Sequence, residues 1–323
     1  MADPVLKKDA HHMIPVIDIA PLRDGSDPVS VARQLHRASR EVGFIYIANH
    51  GIPEAAIENA RAMAMRFFRQ PDGDKMTVAV SGTHRGFLSV GGARMQDDAK
   101  ADLKESFVWG YEDNDGNTPD DHQLRGANRW PASPPGMQAV SMDYFHQAHG
   151  VAHHLMRGFA LGLDLPEDAF LKTNDAPISR ASYVYYPPQE ADAGDQFGVG
   201  PHTDFGVLTV LCQDSVGGLQ VQTLDGDWIA APPIPGTLVI NVGDLLARWT
   251  NGEYRSTPHR VINTSGKERL SLVLAYDPEP RTMIDARDIL GPGVEPKEAP
   301  ITCGDYLTWR FGKAFSYRGK DKS

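Results

Sequence analysis

Three side chains in this sequence could together hold a redox-active metal. They are His202 and Asp204 in Pro201-His202-Thr203-Asp204-Phe205-Gly206, and His259 in Thr257-Pro258-His259-Arg260. If the β-branched and apolar run Val207-Leu208-Thr209-Val210-Leu211 extends a strand back through residue 202, His202 and Asp204 stand two apart and project from one face. A second imidazole from a distant strand completes two nitrogens and one carboxylate oxygen. Several positions of an octahedral ion then stay open for small molecules, as in the facial donor set with which ferrous iron activates dioxygen. About one or two His-x-Asp or His-x-Glu triplets would arise by chance in a chain of this composition, so the triplet by itself is weak evidence. The sequence holds a single one, at 202–204, and the elements around it decide its meaning.

From Ser179 onward the chain consists of short strands separated by turn residues. Ala181–Tyr186 ends at Pro187-Pro188, a loop runs to Pro201, and the His202 strand follows. Next come a Gly217-Gly218 turn, Leu219–Leu224, an Asp225-Gly226 signal for a type I′ hairpin, Trp228–Ala230, Thr237–Val242 and Arg269–Tyr276. Strands at this spacing predict a jelly roll or barrel. The preceding half is different. An edge strand at Ile14–Ile19, a helix over 28–42 ended by Gly43, a buried strand Phe44–Ala48 and a helix over 53–69 are predicted. Gly82–Pro135 reads as surface loops apart from a strand at Glu105–Trp109. The longest helical pattern, over 137–163, carries one apolar stripe through Phe145, Ala148, Ala152, Leu155 and Phe159. His146, His149, His153 and His154 lie along it, but the last two point to different faces, which is poor geometry for joint ligation.

The expected architecture is therefore mainly β with flanking helices, an α+β chain with a distorted double-stranded β-helix (jelly-roll) core and a helical N-terminal region. It is read as a single domain, residues 1–323. Within it, 14–120 form the N-terminal region, 137–163 a scaffold helix, 179–280 the catalytic core and 281–323 a C-terminal segment that is a candidate lid. A net charge of −10 without a basic stripe argues against nucleic acid as a partner. No apolar run reaches spanning length and Met1–His12 has no apolar leader core, so neither a membrane nor secretion is indicated. Two cysteines, Cys212 and Cys303, offer no disulfide framework, and a cytoplasmic location is expected, where iron also stays ferrous.

An ordered series of short motifs gives the chain a resemblance that spans most of its length. Ile14-Pro15-Val16-Ile17-Asp18, Gly43-Phe44-Ile45-Tyr46 and Asn49-His50-Gly51-Ile52-Pro53 open it. His202-Thr203-Asp204, Asn241-Val242-Gly243-Asp244, Thr250 to Ser256, Pro258-His259-Arg260-Val261 and Arg269-Leu270-Ser271 continue it. In these the chain resembles the isopenicillin N synthase-like family of 2-oxoglutarate- and iron(II)-dependent oxygenases. The resemblance implies that His202, Asp204 and His259 bind Fe(II) and are catalytic, and that Arg269 and Ser271 hold the far carboxylate of the cosubstrate 2-oxoglutarate. It also implies that Tyr186 touches that carboxylate. The planar fork of a guanidinium beside a hydroxyl independently suits a carboxylate. The implied reaction takes O2 and 2-oxoglutarate, releases succinate and CO2, and hydroxylates, desaturates or cyclises a small organic molecule.

Two departures from the family stand out: Val184 where many plant members have asparagine, and Leu272-Val273-Leu274-Ala275-Tyr276 where phenylalanines are common. Candidate substrate contacts are Tyr183, Phe205, Phe107 and Arg85-Gly86-Phe87, with Trp309–Tyr317 as the lid and Arg180 or Arg94 for a substrate carboxylate. An iron oxidase of the same fold that does without 2-oxoglutarate, and a non-catalytic metal-containing small-molecule binder, remain as alternatives. A zinc hydrolase is disfavoured because no His-Glu-x-x-His helix is present.

Overall fold

A computed structural model of the chain describes residues 13–92, 102–112, 122–189 and 197–315. Its strands, in chain order, are β1 (Val16–Asp18), β2 (Phe44–Ala48), β3 (Gly86–Leu88), β4 (Glu105–Gly110), β5 (Arg180–Tyr186) and β6 (Val199–His202). There follow β7 (Leu208–Gln213), β8 (Leu219–Gln222), β9 (Trp228–Ala230), β10 (Thr237–Val242), β11 (His259–Val261) and β12 (Arg269–Tyr276). Eight of them form one sheet in the order β1-β2-β10-β7-β12-β5-β4-β3, and four form a second in the order β6-β11-β8-β9. N-terminal strands thus interleave with C-terminal ones, β2 pairing with β10 and β4 with β5.

The large sheet is apolar on one face and mixed on the other, because its side chains alternate. On β12, Leu270, Leu272 and Leu274 pack into the main core against the helices, whereas Arg269, Ser271 and Val273 face a cavity. On β5, Ala181 and Tyr183 take the core side while Ser182, Val184 and Tyr186 take the cavity side. The helices Pro28–Glu41, Glu54–Phe68 and Met137–Gly162 supply the other half of that core, the last through Phe145, Ala148, Ala152, Leu155 and Phe159. Each fully buried Leu or Phe here contributes about 2 kcal/mol of apolar transfer free energy. Among the described residues, no helix is long and apolar enough to cross a membrane.

The jelly-roll expectation and most of the expected elements hold, with three differences in detail. Residues 203–207 are not strand: β6 ends at His202 in the small sheet and β7 begins at Leu208 in the large one. Backbone groups in this crossing bond the start of the helix Asp244–Trp249 instead of a neighbouring strand, with Asp244 N donating to Asp204 O (2.7 Å) and Leu245 N to Gly206 O (3.0 Å). Second, Gly86–Leu88, read as loop, forms the edge strand β3 on β4. Parts of that stretch, 93–101 and 113–121, lie outside the described residues. Third, the β8–β9 connection is not type I′. Gly226 has φ +86°, but Asp225 is not among the residues with positive φ, and Gly226 N donates to Thr223 O, as in a type I turn closed by a left-handed glycine.

Candidate active site

The crossing from β6 to β7 brings together what the sequence left two apart. His202 stands at the end of β6, Asp204 in the turn, and His259 at the start of β11, where it pairs with His202 across the small sheet. One nitrogen from each ring and one oxygen of Asp204 all lie within 4.8 Å of one another, close enough for a single ion. His202 and Asp204 therefore converge through a turn, not through a shared strand face.

Each donor is held in the orientation that a metal needs. His202 Nδ1 lies 2.8 Å from Gly200 O and His259 Nδ1 3.2 Å from Thr257 O. These carbonyls accept the Nδ1 protons and fix the tautomer that leaves both Nε2 lone pairs free. The Nε2 atoms then lie 3.6 and 3.7 Å from Oδ1 of Asp204. The other carboxylate oxygen, Oδ2, accepts from Thr209 Oγ1 (2.5 Å) and Asn241 Nδ2 (2.8 Å). Burial and the neighbouring His202 ring push His259 down to about 4, so it is neutral near pH 7. Burial acts to raise the Asp204 carboxyl, but His259, His202 and Asn241 outweigh it and hold the group well below the usual carboxylate range. A neutral His259 and an ionised Asp204 are the protonation states in which these two can ligate.

The cluster opens on a cavity of about 210 Å³ between the two sheets. Arg269, Ser271 and Tyr186 line the same cavity. Arg269 is 1% exposed, and its Nε donates to Gly217 O at 2.5 Å. Its Nη1 and the Oγ of Ser271 are buried with no hydrogen-bond partner among the described residues. The unpartnered Nη1 of Arg269 and hydroxyl of Ser271, on neighbouring cavity-facing positions of one strand, leave donors for a carboxylate.

Comparison with known proteins decides what this arrangement belongs to. Residues 14–133 match the family model described as non-haem dioxygenase in morphine synthesis N-terminal, and residues 177–278 that of the 2OG-Fe(II) oxygenase superfamily. The chain belongs to the 2-oxoglutarate- and iron(II)-dependent oxygenases. It is 34% identical to the 2-oxoglutarate-Fe(II) type oxidoreductase ppzC of Metarhizium rileyi, over 95% of this chain and 89% of that protein. It is also 34% identical to a homoarginine-6-hydroxylase of Glycine max, over 85% and 88% of the two chains. Its fold matches that of a full-length Neurospora crassa protein crystallised in complex with alpha-KG and thymine, with a TM-score of 0.83 at 28% identity, covering 96% and 99%. The oxygenase accordingly uses Fe(II), 2-oxoglutarate and O2 to oxidise a small molecule, with release of succinate and CO2.

Within this oxygenase the remaining expected contacts divide. Phe205 does line a second chamber beside the cluster, and Arg180 reaches that chamber as well. Tyr183, Phe107 and Phe87 do not: they are buried on the helix side of the large sheet, where Tyr183 Oη meets Ser141 Oγ at 2.8 Å. Alternation explains it, since each sits one residue out of phase with the cavity-facing rows. Arg85 is a buried structural cation bonded to the carbonyls of Thr83, His84 and Leu124. Of the lid segment, Phe311 and Phe315 face the site, whereas Ser316 and Tyr317, like Arg94, lie outside the described residues. Asn241 was legible only as part of a motif and Thr209 only as a strand residue, and both turn out to orient Asp204.

Proposed function

We propose that His202, Asp204 and His259 are the iron ligands of this oxygenase, and that Arg269, Ser271 and Tyr186 bind the far carboxylate of 2-oxoglutarate. The observation that carries the reading is the buried, unpaired Arg269–Ser271 pair facing the cavity that the His-Asp-His cluster also lines. Iron, when bound, supplies the oxidising chemistry with dioxygen and the keto acid. The protein's part is to fix geometry. The Gly200 and Thr257 carbonyls hold the imidazoles, Asn241 and Thr209 hold the carboxylate, and the apolar walls Leu211, Leu219, Val261 and Val273 keep bulk water away from a charged cosubstrate. The Arg269 charge offsets the desolvation of a carboxylate that enters such a cavity.

Arg269 and Ser271 suit the far carboxylate of 2-oxoglutarate, and an iron oxidase of the same fold, which can keep the pair, is separated from this reading by succinate formation during turnover. We further infer that residues 1–323 act as a single oxygenase domain, supported by the interleaved strands of the large sheet and by Phe311 and Phe315 lining the chamber beside the cluster. A reducing cytoplasm suits its two buried free thiols, Cys212 and Cys303. The test is reconstitution with ferrous iron under nitrogen, followed by oxygen and carbon-labelled 2-oxoglutarate. Stoichiometric iron in the wild type, its loss in His259→Ala, and labelled succinate are expected; full iron content and turnover in His259→Ala would sink the ligand assignment.

A further inference from the structure

The chamber next to the cluster differs in chemistry from the cosubstrate cavity. It shares His202, Asp204 and Thr209 with that cavity, and His84 and Phe315 line both, so a molecule in it has one edge against the proposed iron ligands; Phe205, Phe311 and Arg180 line the chamber and not the cavity. Its far wall is aromatic. Phe205 follows Asp204 directly, and Phe311 and Phe315 come from the end of the helix Cys303–Ala314 and the residue after it. The His84 ring packs 4.6 Å from Phe311 and 4.5 Å from Phe315, and the two phenylalanines meet edge to face at 5.5 Å. His84 holds φ +59°, which is uncommon away from glycine and turns the chain into this wall.

The position of Phe205 is fixed from outside. The Arg310 guanidinium carbon stacks 4.1 Å from its centroid, and Arg310 also pairs with Asp244 at 3.4 Å.

Charge in this chamber is already balanced. Arg180 is its one cation among the described residues, and Arg180 Nη2 is paired with the fully buried Asp277 at 3.0 Å, while its guanidinium carbon lies 4.7 Å from the Phe311 centroid. The one carboxylate among the described lining residues is Asp204, which the iron reading occupies. Among the described residues a cationic substrate would find no counter-charge and an anionic one no free cation, so either would lose its hydration without compensation from them. Size admits a ring: the chamber holds about 180 Å³, and an apolar cavity of about 150 Å³ is known to accept one benzene ring.

We propose that the primary substrate is an uncharged molecule built on a single planar ring, gripped by Phe205, Phe311, Phe315 and His84 with its oxidised carbon turned toward Asp204 and His202. This rests on the iron and cosubstrate assignment above. It separates the chain from relatives named as homoarginine hydroxylases, whose charged substrate would meet no partner among the described residues of this chamber.

The test compares two panels on the full chain loaded with ferrous iron and 2-oxoglutarate. One contains neutral single-ring compounds (a methylated pyrimidinedione, a toluamide); the other contains homoarginine, arginine and an aryl carboxylate. At least one neutral ring should raise succinate release about ten-fold over the substrate-free rate, and no charged compound should. Ligand-observed NMR on the metal-free protein gives a readout that needs no turnover: ring protons of the neutral compound should show saturation transfer from the protein. Phe311→Leu keeps a bulky apolar side chain but removes the aromatic face, and should weaken that binding about three- to ten-fold, the range of one aromatic pair. Phe311→Ala should weaken it further. Stimulation by homoarginine but not by rings, or ring binding unchanged in Phe311→Leu, overturns the proposal even if iron and succinate behave as expected. Absent iron with intact ring saturation would instead fail the ligand assignment and leave the chamber reading standing.

Discussion

Arg269 and Tyr186 are direct cross-strand partners on β12 and β5, and the guanidinium carbon lies 4.6 Å from the centroid of the tyrosine ring. The ring supports the cation on one side and Gly217 O accepts from Nε, yet no carboxylate faces it among the described residues. A buried charge without a counter-charge destabilises the fold. Arg269→Leu should therefore leave the melting temperature of the ligand-free protein unchanged or raise it. The KM for 2-oxoglutarate should meanwhile rise about thirty-fold or more, the effect of losing a buried charge pair worth roughly 2–5 kcal/mol. Thermal melts with and without 2-oxoglutarate check both halves: the wild type should gain stability from the ligand and the variant should not. A variant that melts several degrees lower and keeps its KM would speak against the role.

Asn241 donates to the oxygen of Asp204 that faces away from the histidines, and Thr209 donates to the same atom. Neither touches the proposed iron position, so their effect is on the aim of the carboxylate. Asn241→Leu should lower iron affinity by about ten- to a hundred-fold, as loss of such supporting bonds does in other metal sites. Competition against a ferrous chelator measures it directly. Thr209→Val should go the same way, and affinity equal to wild type in both would mean that Asp204 is held by the turn backbone alone.

Much of this was readable before any coordinates, and the unreadable part has a physical cause. His202, Asp204, His259, Arg269 and Ser271 stand in local motifs whose order along the chain suffices to pick them out. The way His202 meets Asp204 was misread, because an apolar run continues unbroken past a point where the chain changes sheets. Nothing local marks that crossing except Gly206. The three-residue strand β3 exists through its pairing with β4 and has too short a pattern to show. Phe311 and Phe315 reach the site because a C-terminal helix docks there, and docking is set by tertiary packing that no periodicity encodes. Tyr183 and Phe107 fall out of phase because Arg269 and Ser271 set the cavity phase on β12 and the register of β5 and β4, which no local pattern gives, carries it to Ser182 and Val108.

The turn that carries Asp204 depends on two backbones passing without side chains between them. A Cβ on Gly243 would run into the carbonyl oxygen of Gly206, and one on Gly206 into Oδ1 of Asp277. Asp277 in turn accepts from Val207 N at 3.0 Å and from Arg180. Gly243→Ala should therefore destabilise the protein by about 1–3 kcal/mol, as overpacking does, and also displace Asp204. Denaturant midpoints should fall together with iron stoichiometry. A fall in stability with iron binding intact would show that the turn relaxes without moving the carboxylate.

His149 gives the fold a pH dependence that is separate from the active site. Its ring lies between Phe145 (5.6 Å) and Tyr276 (4.9 Å), and Nε2 is buried without a hydrogen-bond partner. Burial, reinforced by His153 and His146, lowers it from 6.5 to about 4. Between those values the unfolded chain binds a proton that the folded one does not. The contribution of neutral His149 is thus complete above about pH 6.5 and is lost as the pH falls toward 4. At pH 5 the loss amounts to roughly 2 kcal/mol by linkage. His149→Phe keeps the stacking, removes the unpaired nitrogen and cannot take up the proton. Its stability advantage over wild type, read from urea midpoints of the metal-free protein, should therefore grow between pH 7 and pH 5 by about that amount. An advantage that stays constant over that interval would mean that His149 takes up its proton as readily in the native state as in the unfolded chain.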